Sequence, residues 1–512
     1  MATVIRKNAW NNGGTFDNPD LLWYAKAVRV MQSRELDDPT SWWFFAAIHG
    51  EYVVTNDTLG TQPPQAYPNW NDIPGPPAVP TTPLPPLNLV NQYWDQCQHA
   101  GWFFPPWHRG YLFAIENILR GITKTLGCTY DWGLPYWNYF GPGQEYEIPP
   151  AFTQPALPDG TPNPLYVTAR YGPNGDGNIF IPIPPVSRAC QNDTMYEGDA
   201  PGYYGGGPTG FDHFDSHTGD LESNPHNLVH NYVGGQSNQG PTWGLMSDPG
   251  LAALDPIFYL HHSNIDRMWA AWNVAGNPNP VAPNWLNGPA ASGDRKFYMP
   301  NPDSTPWQFT PAMVDSINQL DYTYDDLSLG VAPQLVSKLN QRLLKLSAPF
   351  PEATQKSKKM EAKTELIGTN DKAIELKSSG ARTTVKLDEP SWKKVGMSLV
   401  NPTAEKVPDE VYLRLENVRG NMDANILTVT VNHQYAGHIS LFGLRTASAK
   451  ESHHGGSGLT FTLDITNIID NLHLTEGLPG DSLDVMIQPG NRVLDTADIS
   501  IGRVSVYRKS RQ

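Results

Sequence analysis

Six histidines fall into two triplets: His49, His99 and His108, then His226, His230 and His262. Neutral imidazole is a borderline-soft ligand suited to copper, zinc, iron or nickel. No carboxylate or thiolate accompanies the pattern, so two three-histidine sites point to a pair of copper ions. His226 and His230 are four residues apart, which on a helix puts both rings on one face, one turn apart. His262 follows 32 residues later, enough for a loop and a returning helix. His99 and His108 are nine apart, and His49 precedes His99 by 50. A single such pair is more often an ordinary core or surface pair. Six histidines in two triplets, embedded in apolar helical sequence, reverse that preference.

The elements that must position these rings are legible around them. Ser41–His49 is apolar on all sides, which predicts a buried helix with His49 near its end. Pro105 and Pro106 open a helix, and Trp107, Tyr111, Ala114, Ile115, Ile118 and Leu119 recur at helical spacing. Pro225 starts another helix through His226 and His230. Asp255 is an N-cap with Pro256 at the first helical position, and that helix runs through Trp269 and Trp272. Residues 62–86 are crowded with proline and read as an ordered surface insertion, neither helix nor central strand.

The pattern changes near residue 335. Residues 336–390 are rich in Lys, Ser, Thr and Glu and read as a linker. Beyond 391, short alternating runs such as Val411–Leu415, Ile426–Val431, Leu459–Leu463 and Ile499–Tyr507 predict a small β-sandwich. The expected architecture is a mainly α catalytic domain over 1–335, a four-helix bundle with long loops holding two metals. The linker and an all-β sandwich domain over 391–512 follow it.

Composition narrows the function. The 512 residues carry a formal net charge of −15 and only 17% charged residues, which argues against nucleic acid or an anionic membrane as a partner. Three cysteines, Cys97, Cys128 and Cys190, do not make a disulfide framework. The start lacks an apolar segment of signal-peptide length, so a soluble protein, cytoplasmic rather than secreted, is the expectation.

Three stretches carry a resemblance: Phe104–Arg109, Asn224–His230 and Asp255–Trp269, the last containing Asp-Pro-Ile-Phe-Tyr-Leu-His-His. Together they resemble the tyrosinase and catechol oxidase (polyphenol oxidase) family of type 3 copper proteins, which also includes molluscan haemocyanin. The resemblance implies that His49, His99 and His108 hold one copper (CuA) and His226, His230 and His262 the other (CuB). His261 is similar to the family's histidine packed behind the ligands. Cys97, two before His99, resembles the cysteine that forms a thioether with that histidine in fungal tyrosinases and haemocyanins; the bland alternative is a buried free thiol. Asp321–Tyr324 resembles the tyrosine motif closing the catalytic domain. The C-terminal segment is similar to the last domain of plant polyphenol oxidases, which implies either a cover that keeps the enzyme latent or a stabilising, oligomerising domain.

The resemblance further implies small phenols and O2 as partners, with no nucleic acid or membrane, and leaves a homo-oligomer open. An o-diphenol is oxidised to an o-quinone; a monophenol must first lose its proton before hydroxylation, which calls for general-base help. Glu222, four before His226, and Asn227, directly after it, are similar to the pair that holds a proton-accepting water in tyrosinases. The alternative for Glu222 is a first-turn carboxylate favoured by the helix dipole. Pro249 falls where the family places a gate over CuA, Asn231 at the pocket mouth, and Phe258 beside the site. The competing readings are a catechol or o-aminophenol oxidase without monophenolase activity, an oxygen carrier, and a zinc hydrolase. The last would pair histidines with carboxylates around one open position.

Overall fold

The computed structural model describes residues 3–50, 83–94, 96–199, 201–211, 217–240, 242–331, 338–346, 362–400, 402–403, 407–449, 456–475, 477–478 and 480–511. Most of the expected 62–86 insertion lies outside these residues, as do His213, His453 and His454. The chain divides into two compact units: Met1–Gly330 with Ser440–Gly443, and Val331–Ile439 with Leu444–Gln512.

Five of the seven α-helices among the first unit's described residues matter most here. They are α1 (Pro19–Gln32), α2 (Trp42–His49), α3 (Phe104–Thr125), α4 (Asn227–Gly234) and α5 (Ile257–Val274). Ser41 caps α2 by accepting from the Phe44 N–H at 3.0 Å, and every residue of that helix is buried. Pro105 and Pro106 sit in the first turn of α3, where a missing N–H costs nothing. The N-cap of α5 is Pro256, one residue later than the expected Asp255; Asp255 still accepts from the Ile257 N–H at 3.1 Å, and it also pairs with Arg170 at 2.6 Å.

Polar tips of buried aromatics fasten these helices together. The Tyr111 hydroxyl of α3 donates to the Phe45 carbonyl of α2 at 2.8 Å and lies 3.1 Å from the Tyr259 hydroxyl of α5. Trp42 Nε1 donates to the Leu254 carbonyl at 3.1 Å. Each side chain buries a large apolar body while its one polar atom is satisfied.

Strand β1 (Val4–Arg6) pairs in parallel with β2 (Tyr322–Tyr324), the expected tyrosine motif. Arg6 lies 3.7 Å over the Tyr322 ring. Asp266 of α5 accepts from Tyr322 and Tyr324, both at 2.6 Å, and from Arg6 at 3.1 Å. Burial alone would raise the Asp266 carboxyl, yet Arg109 and Arg6 hold it below its ordinary range.

The second unit is built on a nine-stranded sheet. Its strands are β3 (Ala362–Thr369), β4 (Ile374–Glu375), β5 (Ala381–Leu387), β6 (Glu410–Arg419), β7 (Ile426–Val431), β8 (Gln434–Ser440), β9 (Leu459–Asp464), β10 (Ser482–Pro489) and β11 (Ser500–Arg511). The order is β8-β7-β10-β5-β3-β11-β6-β9, with β4 on β11. All four runs read from alternation fall in or at the ends of these strands. The 336–390 segment corrects the expectation of a linker: it contains a helix, Lys338–Lys345, and β3, β4 and β5 of the sheet. The alternation in Ala381–Leu387 is present, but Arg, Thr and Lys on its outer face mask it as low-complexity polar sequence.

Candidate metal centre

Helices α2, α3, α4 and α5 each bring histidine to one interior region, and all six expected rings are buried. His99 comes from the loop before α3, and His226 from the turn that opens α4. Nε2 of His226, His230 and His262 lie 3.1–3.3 Å from one another. The other nitrogens of two of these rings face acceptors: His230 Nδ1 donates to the Met246 carbonyl at 2.8 Å, and His226 Nδ1 to Asn227 Oδ1 at 2.8 Å. Their Nε2 atoms therefore present lone pairs to each other in a buried space, an arrangement a cation resolves.

The other triplet is built the same way. His108 Nδ1 donates to the Phe104 carbonyl at 2.8 Å and His49 Nδ1 to the Pro249 carbonyl at 3.1 Å. His49, Cys97, His99 and His108 offer ligand atoms within 4.8 Å of one another, as do His226, His230, His261 and His262. The two triplets touch: the His108 and His262 rings stack with centroids 4.6 Å apart and planes 12° from parallel. Burial, then the neighbouring histidines, lowers the basicity of His99 and His262 well below the usual imidazole range, so the rings stay neutral ligands.

His261 stacks on His226, centroids 5.3 Å apart, and is not one of the three rings whose Nε2 atoms lie 3.1–3.3 Å from one another. Cys97 Sγ lies 3.4 Å from His99 Nδ1, 4.0 Å from His99 Nε2 and 3.6 Å from His108 Nε2. Phe258 packs on His262 at 4.1 Å and His49 at 4.7 Å. Pro249 is placed by its carbonyl bond to His49.

Glu222 is buried, and both its oxygens accept from the Ala100 N–H, at 2.8 and 3.0 Å. Ala100 follows His99 and has φ +52°, a left-handed conformation costly for a residue with a Cβ. Burial pushes the Glu222 carboxyl up to about 8, while the Ala100 N–H pulls the other way.

Sequence reasoning missed Phe442 and Ser440. Phe442 stacks on His230 with centroids 4.2 Å apart and planes at 21°. The Ser440 hydroxyl accepts from Asn231 Nδ2 at 2.8 Å and donates to the Asn227 carbonyl at 2.8 Å. Asn231, expected at an open mouth, is thus bonded to this segment.

Two three-histidine clusters on a helical bundle define a dinuclear metalloprotein. The family described as the common central domain of tyrosinase matches residues 39–275, and a domain of unknown function, DUF7868, matches 363–509. The chain is 30% identical over 509 residues to tyrosinase HcTyr1 of Hahella sp. (strain CCB-MM4), covering 95% of this chain and 96% of that one. It is 29% identical to the latent polyphenol oxidase of Prunus armeniaca over 269 residues, 48% of this chain and 41% of that enzyme. In fold it is similar to latent apple tyrosinase (TM-score 0.59, 22% identity, 99% and 97% of the two chains). It is also similar to latent aurone synthase (TM-score 0.60, 19% identity, 100% and 90%).

The chain belongs to the tyrosinase and polyphenol oxidase family of type 3 copper proteins. It is accordingly a copper oxidoreductase whose substrates are phenols and O2, and the histidine-rich donor sets, with Cys97 beside the first, fit two copper ions. Among the described residues no helix is long and apolar enough to cross a membrane.

Proposed function

We propose that this chain is a tyrosinase, hydroxylating monophenols as well as oxidising o-diphenols to o-quinones. His49, His99 and His108 hold CuA, and His226, His230 and His262 hold CuB. Copper so held supplies O2 binding and two-electron oxidation of the phenol. The chain's own residues orient the rings, exclude water and handle the phenol proton.

The observation that carries the monophenolase reading is Glu222, a buried carboxyl tied at 2.8 Å to the residue after His99. Its proton affinity, near 8, is matched to accepting and returning a proton close to neutrality. Glu222 takes the phenol proton through a water that Asn227 helps to hold. The rings of Phe104 and Phe258, packed on His226 and His262, keep the centre apolar. The contact of Cys97 with His99 supports a thioether that fixes the imidazole, a task otherwise left to hydrogen bonds.

Phe442 supports a latent state of the same enzyme. An aromatic ring already stacked on His230 occupies the place where an aromatic substrate would stack.

Oxygen uptake by the copper-loaded chain, with tyramine and then catechol, tests the assignment. Uptake on both supports a tyrosinase. Uptake on catechol alone makes it a catechol oxidase and removes the role given to Glu222.

A further inference from the structure

One short loop serves both triplets. The Met246 carbonyl receives Nδ1–H of His230, and the Pro249 carbonyl, three residues on, receives Nδ1–H of His49. His230 belongs to one triplet and His49 to the other. A proton held on Nδ1 leaves the Nε2 lone pair for the metal, so each carbonyl sets both tautomer and ring direction.

Asp248 lies between the two carbonyls and is fully buried. Its Oδ1 accepts from the Gly250 N–H at 3.0 Å, closing the turn around Pro249. Its backbone N–H donates to the Leu245 carbonyl at 3.1 Å, and its own carbonyl accepts from Leu251 and Ala252 at 3.0 and 2.8 Å. The turn is therefore tied on both sides of Asp248.

The ends of two ligand helices press on this loop. A Cβ at Gly50, the residue after His49, would lie 2.5 Å from the Gly250 carbonyl oxygen. A Cβ at Gly234, four after His230, would lie 2.3 Å from the backbone nitrogen of Ser247. The backbone at Gly50 has an ordinary φ of −80°, so there the requirement is space rather than conformation. A shift of the loop moves both carbonyls at once.

We propose that Asp248 is a positioning residue for both metal sites: by closing the 246–250 turn it orients His49 and His230 together, so the two copper affinities rise and fall as a pair. This rests on the six histidines holding the metals.

The test is titration of the metal-free full-length protein with Cu(I) against a competing chelator, together with ¹⁵N NMR of the imidazole tautomers and a thermal melt. Asp248→Ala should weaken both coppers by roughly 10- to 100-fold and release the Nδ1–H tautomers of His49 and His230. Asp248→Asn, which keeps the Oδ1 acceptor, should restore most of the affinity. Unchanged affinity in the alanine variant, loss at one copper only, or an equal loss in the asparagine variant overturns the proposal. Should the alanine variant not fold, Gly50→Ala pushes on the Gly250 carbonyl of the same turn, next to Pro249, and unaltered copper binding there overturns it too. A wild-type chain that binds no copper would instead sink the histidine assignment itself.

Discussion

Arg109 Nε donates to Asp266 Oδ1 at 2.5 Å, joining the residue after His108 to the residue four past His262. The guanidinium also lies 3.7 Å over the Trp269 ring. Helices α3 and α5 are thereby cross-braced directly behind the rings that stack between the two triplets.

Asp266→Ala leaves two arginines, Arg6 and Arg109, buried without their shared carboxylate. Breaking such a pair from one side costs about 3–5 kcal/mol. Urea unfolding should record a loss of that size; a loss under 1 kcal/mol would show that the brace contributes little.

Glu222→Gln should lower turnover of tyramine more than that of catechol, since only the monophenol requires an extra proton acceptor. Steady-state rates on both substrates check it, and an equal fall on both reduces Glu222 to a structural part.

Burial raises the Glu222 carboxyl from its ordinary 4.5 to about 8 in the folded chain. Between those values the folded state holds a proton that the unfolded state has released. The stability this group contributes is thus fully present below about 4.5 and is lost as pH rises through 8. Melting temperatures of metal-free wild type and Glu222→Gln should diverge across that window, with wild type losing ground as pH rises. The depressed histidines pull in the opposite direction but are common to both proteins, so the difference isolates Glu222. A constant difference from pH 5 to 8 counts against the assignment.

Phe442→Ala should raise catechol turnover at sub-saturating substrate. A stacked aromatic pair contributes about 0.5–1.5 kcal/mol beyond its burial, which corresponds to roughly a two- to tenfold gain for a competing substrate ring. Initial rates of oxygen uptake measure this. No gain would make Phe442 a packing residue.

Copper-loaded, aerated protein should form a Cys97–His99 bond with loss of the thiol hydrogen and one ring hydrogen, the two electrons passing to O2. Peptide mass spectrometry would detect the linked pair. Unmodified peptides after turnover leave Cys97 a buried thiol.

Much of the centre was legible because His49, His108, His230 and His262 sit in helices, where each interrupts a largely apolar run. Asp255 and Pro256 announced α5, and the paired prolines announced α3. Residues 362–387 were illegible as strands because their outer faces are Lys, Arg, Thr and Glu. Phe442 could not be read at all. Its ring reaches His230 through a fold-level juxtaposition, and no local spacing encodes that. The link between Glu222 and Ala100 was hidden for a different reason, since nothing in an alanine signals a left-handed backbone.

That link leaves a constraint on how the chain can change over time. Under the proposed function, a carboxyl that both steadies the backbone after His99 and carries a proton has two duties with different chemical requirements. The first needs only an acceptor; the second needs a group that ionises. Glutamine meets one and alanine neither. A lineage abandoning hydroxylation should therefore pass through glutamine at 222, keeping its shape while changing its repertoire.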